Sequence, residues 1–261
     1  MKSRKEGGDW KAGGKRVKYH FESQSGYYSH KKEQKYFVLT FQYTFKHAND
    51  EVFIASGIPY SYSFLQQEMI LFKETASKNG FLEFDINTKT KSMVGLDLPM
   101  ISVNHCMTKL VQEKKKRFII INCRTHAGEA SASWVLDGLL KELVSNQQVS
   151  DWMLNENIEF RIFPMLNPDG VFIGNYRTGI IGDDFNRKFN ALRTDIYPEM
   201  TALKKLVSKC QEEGTVEMFL DLHGHSILKN SFIYGPGDQQ HSEAKRKNFS
   251  IFSEKVALPV V

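Results

Sequence analysis

Three short segments hold residue types that can do chemistry together. His126 and Glu129 stand three apart in Asn122-Cys123-Arg124-Thr125-His126-Ala127-Gly128-Glu129, and His223 opens His223-Gly224-His225 well downstream. Two imidazoles and a carboxylate are the donor set of a catalytic zinc site, whose fourth position is left for water. Arg177, in Gly174-Asn175-Tyr176-Arg177, and Arg187, at the end of Gly182-Asp183-Asp184-Phe185-Asn186-Arg187, lie in glycine-containing sequence with no helix to decorate. A planar guanidinium there suits gripping a carboxylate through two hydrogen bonds, or facing an oxyanion. Singly, each feature has a plainer reading. Glu129 could be a first-turn carboxylate favoured by a helix dipole, His223 a satisfied buried histidine, and Asn167-Pro168-Asp169-Gly170 only a turn.

The elements that must position these residues follow from hydrophobic patterning. Residues 118–121 form a short continuous apolar run, expected as a strand buried on both faces. Residues 158–163, 217–222 and 231–234 read as further strands. Residues 129–144 read as a helix through Trp134, Val135, Leu139, Leu140 and Leu143. A second helical stripe holds Ile196, Met200, Leu203, Leu206, Val207 and Cys210, and a third, over 62–76, has Gly80 as its stop. Strands alternating with helices predict an α/β fold with a mixed central β-sheet flanked by helices. His126, Glu129 and His223 then follow strands, at the carboxyl ends where open α/β sheets bind ligands.

The first 55 residues have a different character. Residues 1–18 combine glycine pairs with lysines, and 1–35 are expected as a flexible basic tail. Phe37, Leu39, Phe41, Tyr43 and Phe45 alternate with polar residues, the pattern of a half-buried strand. Residues 36–55 therefore read as the end of an all-β unit, and 56–261 as the α/β domain.

Composition excludes several classes. The 261 residues are 41% hydrophobic and 25% charged, with no apolar run of the roughly 18 residues a membrane span needs. Three unclustered cysteines exclude a disulfide framework and fit a reducing compartment. The net charge of +5 resides at the N-terminus: 1–35 carry ten Lys/Arg against four Asp/Glu, and the rest 25 against 26. The body therefore lacks the basic footprint of a nucleic-acid binder. No GxSxG occurs, which disfavours serine-hydrolase chemistry.

Taken together and in this order, the segments resemble the zinc metallocarboxypeptidases, and within them the cytosolic branch that includes tubulin deglutamylases. The matching stretches are RTHAGEASASWVLDGLL (124–140), FPMLNPDGVFIGNYRTGIIGDDFNRKF (163–189) and FLDLHGHSILKNSFIYG (219–235). Residues 36–66 are similar to the segment that joins that branch's small β-sandwich domain to its catalytic domain. The resemblance implies a carboxypeptidase-like α/β/α fold with one zinc per chain on His126, Glu129 and His223. Arg177 then matches the oxyanion-stabilising arginine, and Asn186 and Arg187 the pair that binds a substrate's C-terminal carboxylate. Asp184 matches a carboxylate that orients a zinc-binding histidine, whereas His225 is expected to be structural. The implied substrates are C-terminal glutamates of acidic protein tails, glutamylated tubulin among them. The implied setting is the cytosol, at microtubules or cilia, with no nucleic-acid or membrane partner. Arg124, Lys188, Arg193 and Lys229 are the cations near these motifs that could favour acidic side chains, or could be solvated surface.

One departure from the family pattern stands out. The resemblance calls for a general-base glutamate on a later strand, usually with a substrate-contacting tyrosine before it. Val261 is the last residue, and Glu243 and Glu254 lie in Lys/Ser-rich sequence without the matching context. The expectation is a chain short at both ends that binds zinc and hydrolyses little. Two other readings stay open here: a zinc-dependent amide deacylase of a small acidic substrate, and a catalytically dead module that holds acidic tails.

Overall fold

The computed structural model describes residues 1–21, 37–108, 115–189, 193–225, 228 and 230–233. They divide into two units, Met1–Pro59 and Tyr60–Val261.

In the first unit, β1 (Lys2–Ser3) pairs antiparallel with β4 (Val52–Phe53), and β2 (Lys15–Phe21) pairs antiparallel with β3 (Phe37–Gln42). The expectation of a flexible 1–35 tail is corrected for the described part of that segment. Val17, Tyr19 and Phe21 alternate with Lys18 and His20, and this pleated pattern matches β3 despite the lysines around it. Tyr19 stacks on Phe37 across the pair, with ring centroids 5.3 Å apart. The half-buried strand also differs from expectation. It ends at Gln42, and Phe37 and Leu39 are 52% and 58% exposed, so the start of the apolar face is more open than a half-buried strand requires.

The second unit is built on a five-stranded sheet. Its strands are β5 (Leu82–Asn87), β6 (Met100–His105), β7 (Lys116–Cys123), β8 (Ile158–Phe163) and β9 (Gly214–Leu222). They lie in the order β5-β6-β8-β7-β9, parallel for β8-β7-β9 and antiparallel for β5-β6 and β6-β8. The helices are α1 (Tyr62–Asn79), α2 (Ala130–Ser145), α3 (Gln147–Glu156), α4 (Pro168–Ile173) and α5 (Pro198–Glu213).

The apolar run in β7 shows why the sheet has two covered faces. Ile121 and Cys123 pack in one buried cluster with Leu65, Phe72, Leu136 and Leu140 of α1 and α2. Phe118 and Ile120 pack in a second, with Leu203 and Cys210 of α5. Strand residues alternate sides, so a run apolar at every position requires a helical layer on each. The result is the expected α/β fold, a mixed sheet between helices. Gly80 ends α1 in the left-handed conformation at φ 73°. The strand expected at 231–234 is not formed at 231–233, which are irregular, and Tyr234 lies outside the described residues. Among the described residues, no helix is long and apolar enough to cross a membrane.

Candidate active site

Beyond β7 the chain must turn at once to start α2, and Arg124 does so in the left-handed region at φ 58°. Its guanidinium is buried. Nε and Nη2 donate to the Ala127 carbonyl at 3.1 and 2.5 Å, and Nη1 donates to the Tyr60 carbonyl at 3.1 Å and Ser133 Oγ at 3.0 Å. The 124–127 turn is thereby closed on itself and tied to α2. It carries His126, which is buried, and Glu129, the residue preceding α2.

The other imidazole arrives from the neighbouring strand, since His223 follows β9, which pairs in parallel with β7. His126 Nδ1 lies 2.8 Å from Glu129 Oε1, His223 Nδ1 lies 2.9 Å from Glu129 Oε2, and the two Nδ1 atoms are 3.1 Å apart. One donor atom from each residue falls within 4.8 Å of the others. Two imidazole nitrogens facing each other at this range repel unless a proton or a cation lies between them. Metal–ligand bonds of about 2.0–2.1 Å put tetrahedral donors roughly 3.3 Å apart, so the set fits a zinc ion.

Each histidine is held from behind by a carboxylate. Asp184 Oδ1 lies 3.1 Å from His126 Nε2, and its Oδ2 accepts from Arg177 Nε at 2.7 Å. Asp221 Oδ2 lies 2.8 Å from His223 Nε2. Burial would lower the pKa of His223, but its hydrogen bonds to Asp221 and Glu129 outweigh that and push it up to about 9. Burial would raise Glu129, yet the His223 hydrogen bond, the Gly224 N–H and His126 hold it below the usual carboxylate range. Asp184 is likewise lowered, with Arg177 and His126 overcoming the effect of burial. Cys123, just before the turn, has its thiol pushed up to about 12 by burial, so it is no nucleophile at neutral pH.

Arg177 is exposed, but the backbone around it is pinned. Gly128 N–H donates to the Tyr176 carbonyl at 2.7 Å, and Asn167 Nδ2 donates to the carbonyls of Thr125 and Thr178 at 3.3 and 3.2 Å. A Cβ at Gly128 would lie 2.4 Å from the Tyr176 oxygen, so only glycine permits this approach. Asn167-Pro168-Asp169-Gly170 is therefore more than a turn, because Asn167 joins the His126 loop to the Arg177 loop. Asn186 and Arg187 lie on a single 3-10 turn, Phe185–Arg187, with Asp184 accepting from the Asn186 N–H at 2.9 Å. The Asn186 side chain reaches to 3.2 Å from His223 Nε2. Arg187 is exposed and makes no ion pair among the described residues.

The four cations near the motifs turn out otherwise than expected. Arg124 is neither surface nor substrate-facing. Lys188 pairs with Asp183 at 3.4 Å and Arg193 with Asp195 at 2.7 Å, while Lys229 lies outside the described residues. Glu243 and Glu254 lie outside them as well. His225 accepts from the Leu228 N–H at 2.9 Å, and its ring meets that of Phe232. Sequence reasoning missed Asp221, Asn122, Thr125 and Asn167. Only Asp221 carried a signal, as a charge inside a strand beside a metal-ligand motif.

An open α/β/α sheet with two imidazoles, a carboxylate and a tethered arginine beyond its parallel strands defines a metal-dependent hydrolase architecture. The zinc carboxypeptidase family model matches residues 84–258, and the chain belongs to that family. It is 30% identical to cytosolic carboxypeptidase 2 of Xenopus tropicalis over 90% of this chain and 24% of that protein. It is 35% identical to cytosolic carboxypeptidase 4 of Homo sapiens over 77% of this chain and 18% of that one. The chain thus spans about a quarter or less of these curated relatives. The crystal structure of a metallo-carboxypeptidase from Burkholderia cenocepacia shares the fold, with a TM-score of 0.60 at 24% identity, over 74% of this chain and 49% of the other.

Proposed function

We propose that this protein is a zinc-dependent carboxypeptidase that removes C-terminal residues, glutamates in particular, from acidic protein tails such as glutamylated tubulin in the cytosol. The observation that carries the reading is the convergence of His126, Glu129 and His223 on one point, with Arg177 tied through Asp184 to the first of them. His126 and His223 through Nδ1, and Glu129 through its carboxylate, would hold one zinc ion. When bound, zinc supplies Lewis-acid polarisation and lowers the pKa of its water to about 7.

The chain's own residues supply the rest. Arg187, free of a carboxylate partner among the described residues, and Asn186 beside it bind the substrate's terminal carboxylate, which restricts cleavage to the last residue. Arg177 is anchored through Nε, which leaves its terminal N–H groups for the oxygen that gains charge during attack. Such a donor contributes about 2.7–4 kcal/mol. Glu129, Asp184 and Asp221 all hold histidines, so the proton acceptor for water is another group. The glutamate preference is supported by the resemblance to the cytosolic branch.

The test is bound zinc by elemental analysis, on wild type beside a His126→Ala/Glu129→Ala double variant, together with release of C-terminal glutamate and leucine from matched peptides. One zinc per wild-type chain, lost in the double variant, and glutamate release that falls about 100-fold or more in Arg177→Ala are expected. A folded wild-type chain without zinc would overturn the reading. Equal release of leucine would overturn the glutamate preference alone.

A further inference from the structure

The carboxylate behind His223 is anchored by the strand next to its own. In the β7–β9 register Asn122 stands opposite Asp221. Asn122 is fully buried, and its amide nitrogen donates to Asp221 Oδ1 at 2.7 Å and to Thr125 Oγ1 at 2.7 Å. Thr125 Oγ1 donates in turn to Asp221 Oδ1 at 3.3 Å. Asn122 Oδ1 is buried and makes no hydrogen bond. A flipped amide would aim that oxygen at the carboxylate, so the charge of Asp221 sets the amide's orientation even though one acceptor is left unpaired. With Oδ1 held this way, Oδ2 is spent on His223 Nε2.

We infer that Asp221, braced by Asn122 and Thr125, is a positioning residue that fixes the tautomer and ring orientation of His223. In the neutral ring that binds a cation, the contact with Asp221 Oδ2 keeps the proton on Nε2 and leaves the Nδ1 lone pair free. That lone pair faces His126 Nδ1 and Glu129. Asn186 Nδ2 also lies 3.2 Å from Nε2, but an amide nitrogen only donates, so with the Nε2 proton directed at Asp221 Oδ2, 2.8 Å away, it makes no hydrogen bond there. Asn186 is thus left available. Because Thr125 immediately precedes His126, the network links the seats of both histidines. It is the counterpart for His223 of what Asp184 does for His126, built across the sheet from polar residues on adjacent strands.

This inference rests on the zinc reading of the three donors, and the test separates the two. Zinc affinity is measured by chelator competition on the whole protein, with the His223 Nε2–H followed as a downfield proton resonance of the zinc-loaded form. Asp221→Ala should weaken zinc binding about 10–100-fold and lose the resonance. Asp221→Asn sets its amide group against that of Asn122 and should also bind zinc more weakly. The exchanged pair, Asn122→Asp with Asp221→Asn, restores donor to acceptor across the strands and should recover most of the affinity and the resonance. A generic packing role predicts no such rescue. Should Asp221→Ala fail to fold, the Asp221→Asn variant and the exchanged pair decide the matter. Wild-type affinity in folded Asp221→Ala, or no recovery in a folded exchanged pair, would overturn the inference alone. A wild-type chain that binds no zinc would overturn the zinc reading and this inference with it.

Discussion

Arg124 offers the sharpest test of how the metal loop is held. Replacing it with methionine keeps a long, flexible apolar stem and removes four hydrogen bonds, to the Ala127 carbonyl twice, the Tyr60 carbonyl and Ser133 Oγ. The serine hydroxyl can rotate to another partner, but the two buried carbonyls cannot. Each buried acceptor left without a donor costs about 1–3 kcal/mol. An opposing effect is that burial holds the guanidinium below its ordinary pKa, so removing a buried charge returns part of the loss. The net expectation is a destabilisation of about 3 kcal/mol. With a urea m-value of about 3 kcal/mol per molar, the unfolding midpoint should fall by about 1 M. Arg124→Lys, whose single ammonium can satisfy one carbonyl, should fall between. The assay is urea denaturation of the metal-free protein, followed by far-UV circular dichroism. A change below about 0.5 kcal/mol for Arg124→Met would refute the reasoning, because a buried arginine with four hydrogen bonds cannot be removed so cheaply. A raised KM for glutamate-ending peptides with unchanged stability would instead restore Arg124 to the substrate-facing role expected from its position in the sequence.

Zinc binding should depend on pH with a defined sign. His223, pushed up to about 9 without metal, is protonated at pH 7, and that proton must leave before Nδ1 can bind a cation. Affinity should therefore rise about tenfold per pH unit between 7 and 8.5 and level off above about 9. Calorimetry in buffers of different ionisation enthalpy should count about one proton released at pH 7, and a flat profile would contradict the assignment. Gly128→Ala should disturb the metal turn and the arginine loop together. Its Cβ would lie 2.4 Å from the Tyr176 oxygen, and Gly128 stands between His126 and Glu129, so the 126–129 turn and the loop that carries Arg177 must move apart. Zinc affinity by chelator competition and turnover should both fall, and a variant with wild-type values for both would contradict the close approach.

The parts legible in the sequence share a physical cause. An apolar run such as 118–121 can be satisfied only between two layers, and the chain must turn sharply where it ends. Polar residues placed there, His126 and Glu129 after β7 and His223 after β9, have no core to join. β5 and β6 carry the same period-two signal as residues 37–45, with buried Leu82, Phe84, Ile101 and Val103 alternating with less buried, mostly polar neighbours. The strand at 15–21 is hidden by composition, because glycines and lysines dominate the segment around it, whereas pairing in β2 involves Val17, Tyr19 and Phe21 in alternation.

The supporting groups were illegible for another reason. That Asn122 stands opposite Asp221 is a matter of register between strands almost a hundred residues apart, and no local pattern encodes it. Arg124 makes the same point about charge. A sequence shows that a cation is present, but whether it reaches solvent depends on which carbonyls the fold leaves without donors, and here the turn leaves those of Ala127 and Tyr60. Three of the four cations credited with drawing in acidic substrates are thereby committed, one to that turn and two to Asp183 and Asp195. The fourth, Lys229, lies outside the described residues, and Arg187 is assigned to the terminal carboxylate. A preference for glutamate over other terminal residues must then come from Lys229 or from groups beyond this set. The leucine-versus-glutamate comparison consequently tests more than the zinc centre, since none of the three zinc donors distinguishes the two side chains.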